Sequence, residues 1–356
     1  MAKTFKKLWP IFISRDNFWT AYQKALRHKR YKAPAADFAM NAEINLINLI
    51  NELEKGVYRP GRYQSFYIYE PKKRKISAAP FRDRVVHHAL VNVLEPIYEA
   101  RFSEASYACR KNKGVHKALE KCHWHVRNRK YFLKGDIVKF FPSADHDILF
   151  EILSKKIADS RILDLIKKLL SSGVGLLDDE RAPYWFAGDG LLTPGLRFCG
   201  LPIGNLTSQF FANVILNELD QYVHHEIRPA GYVRYADDWV LFDNDVETLK
   251  KAKLSIEKFL ARYRLLCHAN KTYFAPCRQG FVFLGFRLTP RGKRIARENV
   301  SRFRKRMRRY NKLINRHIID YDQISASIKG WLQHLSHGNT AGIISKVMPN
   351  VKFRKI

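Results

Sequence analysis

The chain has 356 residues and carries 64 Lys and Arg against 33 Asp and Glu, a formal net charge of +31. Hydrophobic residues at 46% and aromatics at 13% exclude a disordered or collagen-like chain, and no apolar run approaches the ~18 residues of a membrane span. A positive surplus this large disfavours self-association and points to a polyanionic partner, above all nucleic acid. At ~150 residues per domain the length suits one large or two to three small domains. The five cysteines are odd in number and form no C-x-x-C pair, which argues against a disulfide framework and for a reducing, cytoplasmic setting. The opening segment has neither a long apolar stretch nor a small-residue cleavage site, so no secretory signal is expected.

Taken in chain order, Ala42 to Leu53 reads as a helix ending at Gly56. Lys72-Lys73-Arg74-Lys75 sits between apparent strands, Tyr67-Ile68-Tyr69 before it and Ile76 after, and reads as a positively charged hairpin tip. Phe81 to Tyr98 carries a helical stripe of Val85, Val86, Ala89, Leu90, Val93, Leu94 and Ile97. Tyr131-Phe132-Leu133 and Ile137-Val138 frame a strand that stops at Phe140-Phe141-Pro142. Asp145 to Lys155 and Arg161 to Leu170 read as helices, and Ser172 to Phe198, rich in Gly and Pro, as a long loop. Ser208 to His225 is helical. Two short apolar runs, Tyr232-Val233 and Trp239-Val240-Leu241-Phe242, then flank Tyr235-Ala236-Asp237-Asp238 and predict a hairpin. Val246 to Tyr263 reads as a helix and Phe281 to Leu288 as a strand. From Arg291 to Arg316 lie 12 basic residues, with Phe303, Met307, Tyr310 and Leu313 at helical spacing: an amphipathic helix with a basic, phosphate-tracking face. No G-x-G-x-x-G occurs, so the fold class is α+β with a basic helical tail.

The chemistry concentrates in carboxylates at strand ends. Two adjacent like charges, Asp237 and Asp238, at the tip of an apolar hairpin are costly. A divalent cation relieves that repulsion, and oxygen ligands suit Mg²⁺. A two-metal site needs a third carboxylate, and Asp136, closing a hydrophobic strand, is the natural candidate. Cys122-His123-Trp124-His125 does not converge on a helix, so zinc is not expected. Asp178-Asp179-Glu180 is expected to be solvated in its loop, and His87-His88 to be packing or phosphate contacts.

These residues carry a resemblance. Tyr235-Ala236-Asp237-Asp238 resembles the Y-x-D-D box of reverse transcriptases, and Leu133 to Phe141 resembles their first catalytic motif. Further blocks follow the family's order: Lys72 to Lys75 with Phe81-Arg82-Asp83-Arg84-Val85, Tyr107 to Gly114, Gly200 to Gln209, Asn270-Lys271-Thr272 and Leu284-Gly285-Phe286. Such ordered blocks are far more specific than a four-letter box alone. Pro202-Ile203-Gly204 with Ser208-Gln209, where many relatives have Pro-Gln-Gly and Ser-Pro, resembles the enzymes of diversity-generating retroelements. Trp331-Leu332-Gln333-His334 is similar to their thumb, whereas Ala236 departs from the Met or Val common there.

The resemblance implies a right-hand polymerase fold: an N-terminal helical extension (1–60), fingers (61–130), a palm (131–290) and a basic helical thumb (291–356). It implies RNA-templated DNA synthesis on two Mg²⁺ ions, with Mn²⁺ as a substitute. Asp136 and Asp237 would bridge the metals, Asp238 would assist, and the Ile137 carbonyl would add a ligand. Lys72, Arg74 and Lys75 would clamp the dNTP triphosphate, with the assignment among them open. Phe141 would be the steric gate against a 2′-hydroxyl, Lys271 would reach the pyrophosphate, and Ile203 and Gln209 would lie by the nucleotide. Arg110, Lys113, Arg304, Arg306, Arg308 and Arg309 would touch nucleic acid. Implied partners are template RNA, cDNA, dNTPs and a small helical accessory protein, with no membrane. The implied outcome is error-prone cDNA mutagenised at adenines. Defence-associated reverse transcriptases and maturase-like RNA-binding proteins are the alternatives. No nuclease or integrase domain is expected after Phe286.

Overall fold

A computed structural model describes residues 4–69, 72–316 and 318–350. Its centre is an antiparallel four-stranded sheet. The strands are β3 (Tyr131–Gly135), β4 (Gly231–Tyr235), β5 (Asp238–Asp243) and β6 (Tyr273–Pro276), in the order β4-β5-β3-β6. Before it in the chain, β1 (Gln64–Ile68) and β2 (Arg74–Ala78) pair antiparallel as a hairpin, bringing the basic run to the expected tip.

Both faces of the central sheet are buried, which explains why its strands read as continuous apolar runs rather than alternating ones. Leu133, Tyr232, Trp239 and Leu241 face one core with the helices Leu206–Tyr222 and Val246–Arg262. Phe132, Val233, Val240 and Phe242 face a second core with the helix Val115–Asn128. Successive residues thus enter opposite cores, as the period of two dictates.

The first core continues into the N-terminal helices Arg15–Leu26 and Ala42–Glu54, which dock Phe18, Tyr22, Leu46 and Leu49 with Val85, Val86 and Leu90 of the long helix Phe81–Glu99. Ser14 caps the first of these, accepting from the Asn17 N–H (3.3 Å). Asp159 caps the helix Ser160–Ser171, while its other carboxylate oxygen accepts from the N–H groups of Leu8 and Trp9 (2.8 Å each) and ties down the N-terminal segment.

Two expectations change. The predicted single strand Phe281 to Leu288 is a hairpin of β7 (Phe281–Phe283) and β8 (Phe286–Thr289), because Leu284 (φ 47°) and Gly285 (φ 86°) turn the chain through left-handed backbone. The first part of the basic run is also a strand, β9 (Gly292–Ile295), paired with β8; the helix begins at Arg297 and runs to Ile314. Phe303 and Met307 of that helix are buried in the second core, and the Phe303 ring stacks on Trp331 at 3.7 Å. No helix among the described residues is long and apolar enough to cross a membrane.

Candidate active site

The pairing register assembles the site. Gly135 lies opposite Trp239, and the β4–β5 hairpin closes at Tyr235 opposite Asp238. One residue past Gly135, Asp136 therefore meets the hairpin end that carries Asp237 and Asp238. Gly135 permits the approach: a Cβ there would lie 2.1 Å from the Trp239 ring, so any side chain would displace Trp239 and its neighbour Asp238. Ala236 turns the hairpin at φ 54°, a left-handed conformation that costs a non-glycine residue roughly 1 kcal/mol or more.

That turn is held from behind by a buried ion pair. Arg234 donates Nε to Asp220 Oδ1 (2.6 Å) and Nη2 to Asp220 Oδ2 (2.5 Å), and Nη1 reaches the Ala236 carbonyl (3.2 Å). Ser106 Oγ and the Tyr232 hydroxyl complete the network at 2.9 and 2.8 Å. Both charged side chains are 0% exposed. The sequence reading passed over this pair, although an Arg amid the apolar β4 run and an Asp on the buried face of a helix are each a signal that a partner must exist.

The three carboxylates lie near enough to repel one another, but among the described residues no three acids are drawn close enough to form a ready-made metal cluster. Burial, then the negative charge of Asp136, push the Asp237 carboxyl up to about 6, with Arg74 close enough to oppose the shift. Burial also raises Asp238, against the pull of Lys134 at 3.4 Å. Lys271 donates to Asp136. The Asp136 carbonyl accepts from His268 N–H (2.8 Å). Buried carboxylates that raise one another's proton affinity suit a hard divalent cation, whose charge would relieve the repulsion.

The three clamp candidates sit differently on the hairpin. Arg74 and Lys75 are successive on β2 and occupy opposite faces. Arg74 is on the side whose charge reaches Asp237, whereas Lys75 Nζ is taken by Asp179 Oδ1 (3.0 Å). Lys72 lies in the exposed tip. Asp179 and Glu180 are thus not merely solvated: they bind the hairpin.

Phe141 is partly buried beside Phe140 (5.4 Å between ring centroids), and its carbonyl accepts from the Leu201 N–H (2.8 Å), which fixes it to the segment carrying Ile203. Ile203 is half-buried and Gln209 exposed.

One expected nucleic-acid contact, Arg110, is corrected. The Arg110 side chain is 3% exposed; its Nε grips both Glu99 oxygens (2.9 and 3.1 Å), and Nη1 donates to the Ser103 and Ser106 carbonyls. It is a structural brace out of reach of a polynucleotide. Lys113 is likewise held by Glu104, through Oε2 (2.5 Å) and the carbonyl (3.0 Å). On the basic helix Arg304, Arg308 and Arg309 are exposed, but Arg306 is half-buried and turned to Ser327 Oγ (3.4 Å). His87 is buried, meets Thr207 Oγ1 at 3.2 Å and is driven down to about 3 by burial, so it packs. His125 stacks on Phe242 at 5.0 Å.

A family model described as reverse transcriptase (RNA-dependent DNA polymerase) matches residues 68–288. Protein YkfC of Escherichia coli (strain K12) is 27% identical over 302 residues, covering 72% of this chain and 74% of YkfC. The group II intron-encoded protein LtrA of Lactococcus lactis subsp. cremoris is 28% identical over 227 residues, covering 62% of this chain and 36% of LtrA. Nuclear intron maturase 1, mitochondrial, of Arabidopsis thaliana is 27% identical over 281 residues, covering 61% and 39%. The chain thus spans about three quarters of the first relative and little more than a third of the other two. Its helices around a palm-like antiparallel sheet are the right-hand polymerase fold. With the family match extending over more than half of its length, the chain belongs to the reverse transcriptase family, the RNA-dependent DNA polymerases.

Proposed function

We propose that this chain extends a primer on an RNA template by two-metal nucleotidyl transfer, with Asp136, Asp237 and Asp238 as its catalytic carboxylates. The observation that carries the reading is that they approach from adjacent strands closely enough to repel one another, with Lys134, Lys271 and Arg74 around them. Divalent ions, Mg²⁺ or Mn²⁺ in its place, would supply activation of the primer hydroxyl and charge stabilisation at the leaving pyrophosphate. Asp136 and Asp237 would hold both ions, with Asp238 and the Ile137 carbonyl completing the ligand set. Arg74, with its forked guanidinium, is ranked first to grip the triphosphate. Lys271, once free of Asp136, would donate to the pyrophosphate oxygens. Phe141 would leave no room beneath the sugar for a 2′-hydroxyl. In this reading residues 61–130 serve as fingers, 131–290 as palm and 291–356 as thumb, and template RNA, nascent cDNA and dNTPs are the partners.

Asp237→Asn tests it. Extension should fall on the order of 10³-fold or more, with RNA affinity nearly intact. Wild-type extension by this variant would remove the catalytic assignment. A maturase-like role, compatible with the intron-encoded relatives, would leave RNA binding and splicing support insensitive to the change.

The finer reading is error-prone copying of a template-repeat RNA, mutagenised at adenines, with a small helical accessory protein. Ile203 and Ser208-Gln209 support it. An apolar side chain at 203 offers no hydrogen bond beside the nucleotide, where relatives place Gln, and each such bond is worth ~0.5–1.5 kcal/mol, or about 2- to 13-fold in discrimination. The Ile203 carbonyl takes the Ser77 N–H (2.8 Å), so Ile203→Gln changes the side chain on an anchored backbone. The variant should copy one RNA template with fewer errors, chiefly opposite adenine. Equal error spectra would remove Ile203 from the mechanism, and an accurate wild type would favour a defence role.

A further inference from the structure

The β1–β2 hairpin is a two-stranded sheet, so one edge of β2 has no strand partner among the described residues. Bare N–H groups on such an edge need acceptors, and here they come from groups distant in sequence. The Lys75 N–H donates to Glu180 Oε1 (3.3 Å), the Ser77 N–H to the Ile203 carbonyl (2.8 Å) and the Ala79 N–H to Asn205 Oδ1 (3.1 Å). Asn205 and Ile203 fix the base of the hairpin; Glu180 is the contact toward its tip. The same face carries Lys75 and its cross-strand neighbour Tyr67, and both grip Asp179, Lys75 Nζ at 3.0 Å and the Tyr67 hydroxyl at 3.1 Å. The loop that brings these acids is itself braced: Arg181 donates to the carbonyls of Arg197 (2.9 Å) and Pro194 (2.7 Å), and Arg197 pairs with Asp189.

A two-stranded hairpin is marginal on its own, and every residue of β1 is exposed. Without the acidic contacts the outer half of the hairpin would be held by its own ladder alone. Arg74 sits in that outer half, on the face opposite Lys75. Resting on the polymerase reading above, we propose that Asp179 and Glu180 are positioning residues for the incoming nucleotide: they pin the back of the hairpin so that Arg74, on its front, stays aimed at the triphosphate beside Asp237. The carboxylates that carry the chemistry lie on the separate central sheet. Loosening the pin therefore adds an ordering cost to nucleotide binding and leaves the chemical step alone.

The test is single-nucleotide extension by the full chain on a primed RNA template at varied dNTP. The double variant Asp179→Asn, Glu180→Gln is expected to raise KM for dNTP roughly 3- to 10-fold with kcat within two-fold, in keeping with contacts that are only partly shielded from water. Lys75→Asp alone should raise KM similarly, and adding Asp179→Lys in the same chain should restore it by re-forming the pair with its charges exchanged. An unchanged KM in the double neutral variant overturns the proposal. So does failure of the exchanged pair to recover, because it would mean that Lys75 grips the triphosphate directly. A wild-type chain that extends no primer overturns the polymerase reading instead, and so the two failures are told apart.

Discussion

Asp220→Asn is the sharpest test of how the catalytic turn is supported. Arg234 and Asp220 are both fully buried, and the carboxylate receives two bonds from the guanidinium at 2.5 and 2.6 Å and one from the Tyr232 hydroxyl at 2.8 Å. Neutralising Asp220 removes the countercharge but leaves the guanidinium in place, with no route to water. Breaking one side of such a pair costs about 3–5 kcal/mol, a large part of the ~5–15 kcal/mol that typically separates folded from unfolded chains. The loss extends to function, because Arg234 Nη1 also holds the carbonyl of strained Ala236, next to Asp237. Guanidinium unfolding and primer extension should therefore fail together: a lower midpoint and slower extension at temperatures where the variant is still folded. The double variant Arg234→Met, Asp220→Leu should regain most of the stability, since replacing both charges leaves nothing uncompensated, but not the extension rate, because the Ala236 carbonyl loses its donor. An Asp220→Asn chain within about 1 kcal/mol of wild type would refute the argument, as would a double variant no more stable than the single.

Phe141→Ala should open the space beneath the sugar and raise ribonucleotide incorporation in direct competition between dNTP and rNTP; an unchanged ratio would make Phe141 a core residue only. Replacing Arg304, Arg308 and Arg309 with Gln should flatten the salt dependence of single-stranded RNA binding by about 2 in log–log slope, at ~0.7 per phosphate contact. An unchanged slope would mean that the exposed face of the Arg297–Ile314 helix meets solvent or a protein. Arg306, turned toward Ser327, should contribute less than any of the three.

The parts of the site legible in the sequence are those governed by local rules. A strand that ends in Asp136 and a hairpin that turns at Ala236-Asp237 follow from apolar runs interrupted by charge, and the register then brings the three acids together. What escaped was the choice of side-chain partners, near in sequence or far. Arg110 lies in a basic, Gly-ended block that looks like a surface contact, yet Glu99 and two carbonyls draw it inside. Asp179 and Glu180 lie in a Gly- and Pro-rich loop, where composition says solvent; their partners are about a hundred residues earlier. Local pattern carries no information about such partners. The hairpin at Leu284-Gly285 was missed for a different reason: the run from Phe281 to Leu288 is apolar enough to pass for one strand, although its buried positions shift phase from Phe281 and Phe283 to Phe286 and Leu288 across the positive-φ turn.

The charges around the three aspartates suggest why metal and nucleotide would enter together. Asp136, Asp237 and Asp238 are met by Lys271, Lys134 and Arg74, so the pocket's formal charge is close to balanced without any ion. For Asp136 to ligate a cation, Lys271 must release it, and a displaced ammonium beside a newly bound cation is repelled unless negative charge arrives as well. The triphosphate of a dNTP is that charge. Arg74 and the freed Lys271 would then both have phosphate oxygens to donate to, and Asp237, relieved of unshielded repulsion from Asp136, would no longer have its proton affinity raised by that neighbour. Lys271, on the segment just before β6, would be the group whose movement couples the two events, since its donation to Asp136 offsets part of the acids' charge before either ion or nucleotide arrives.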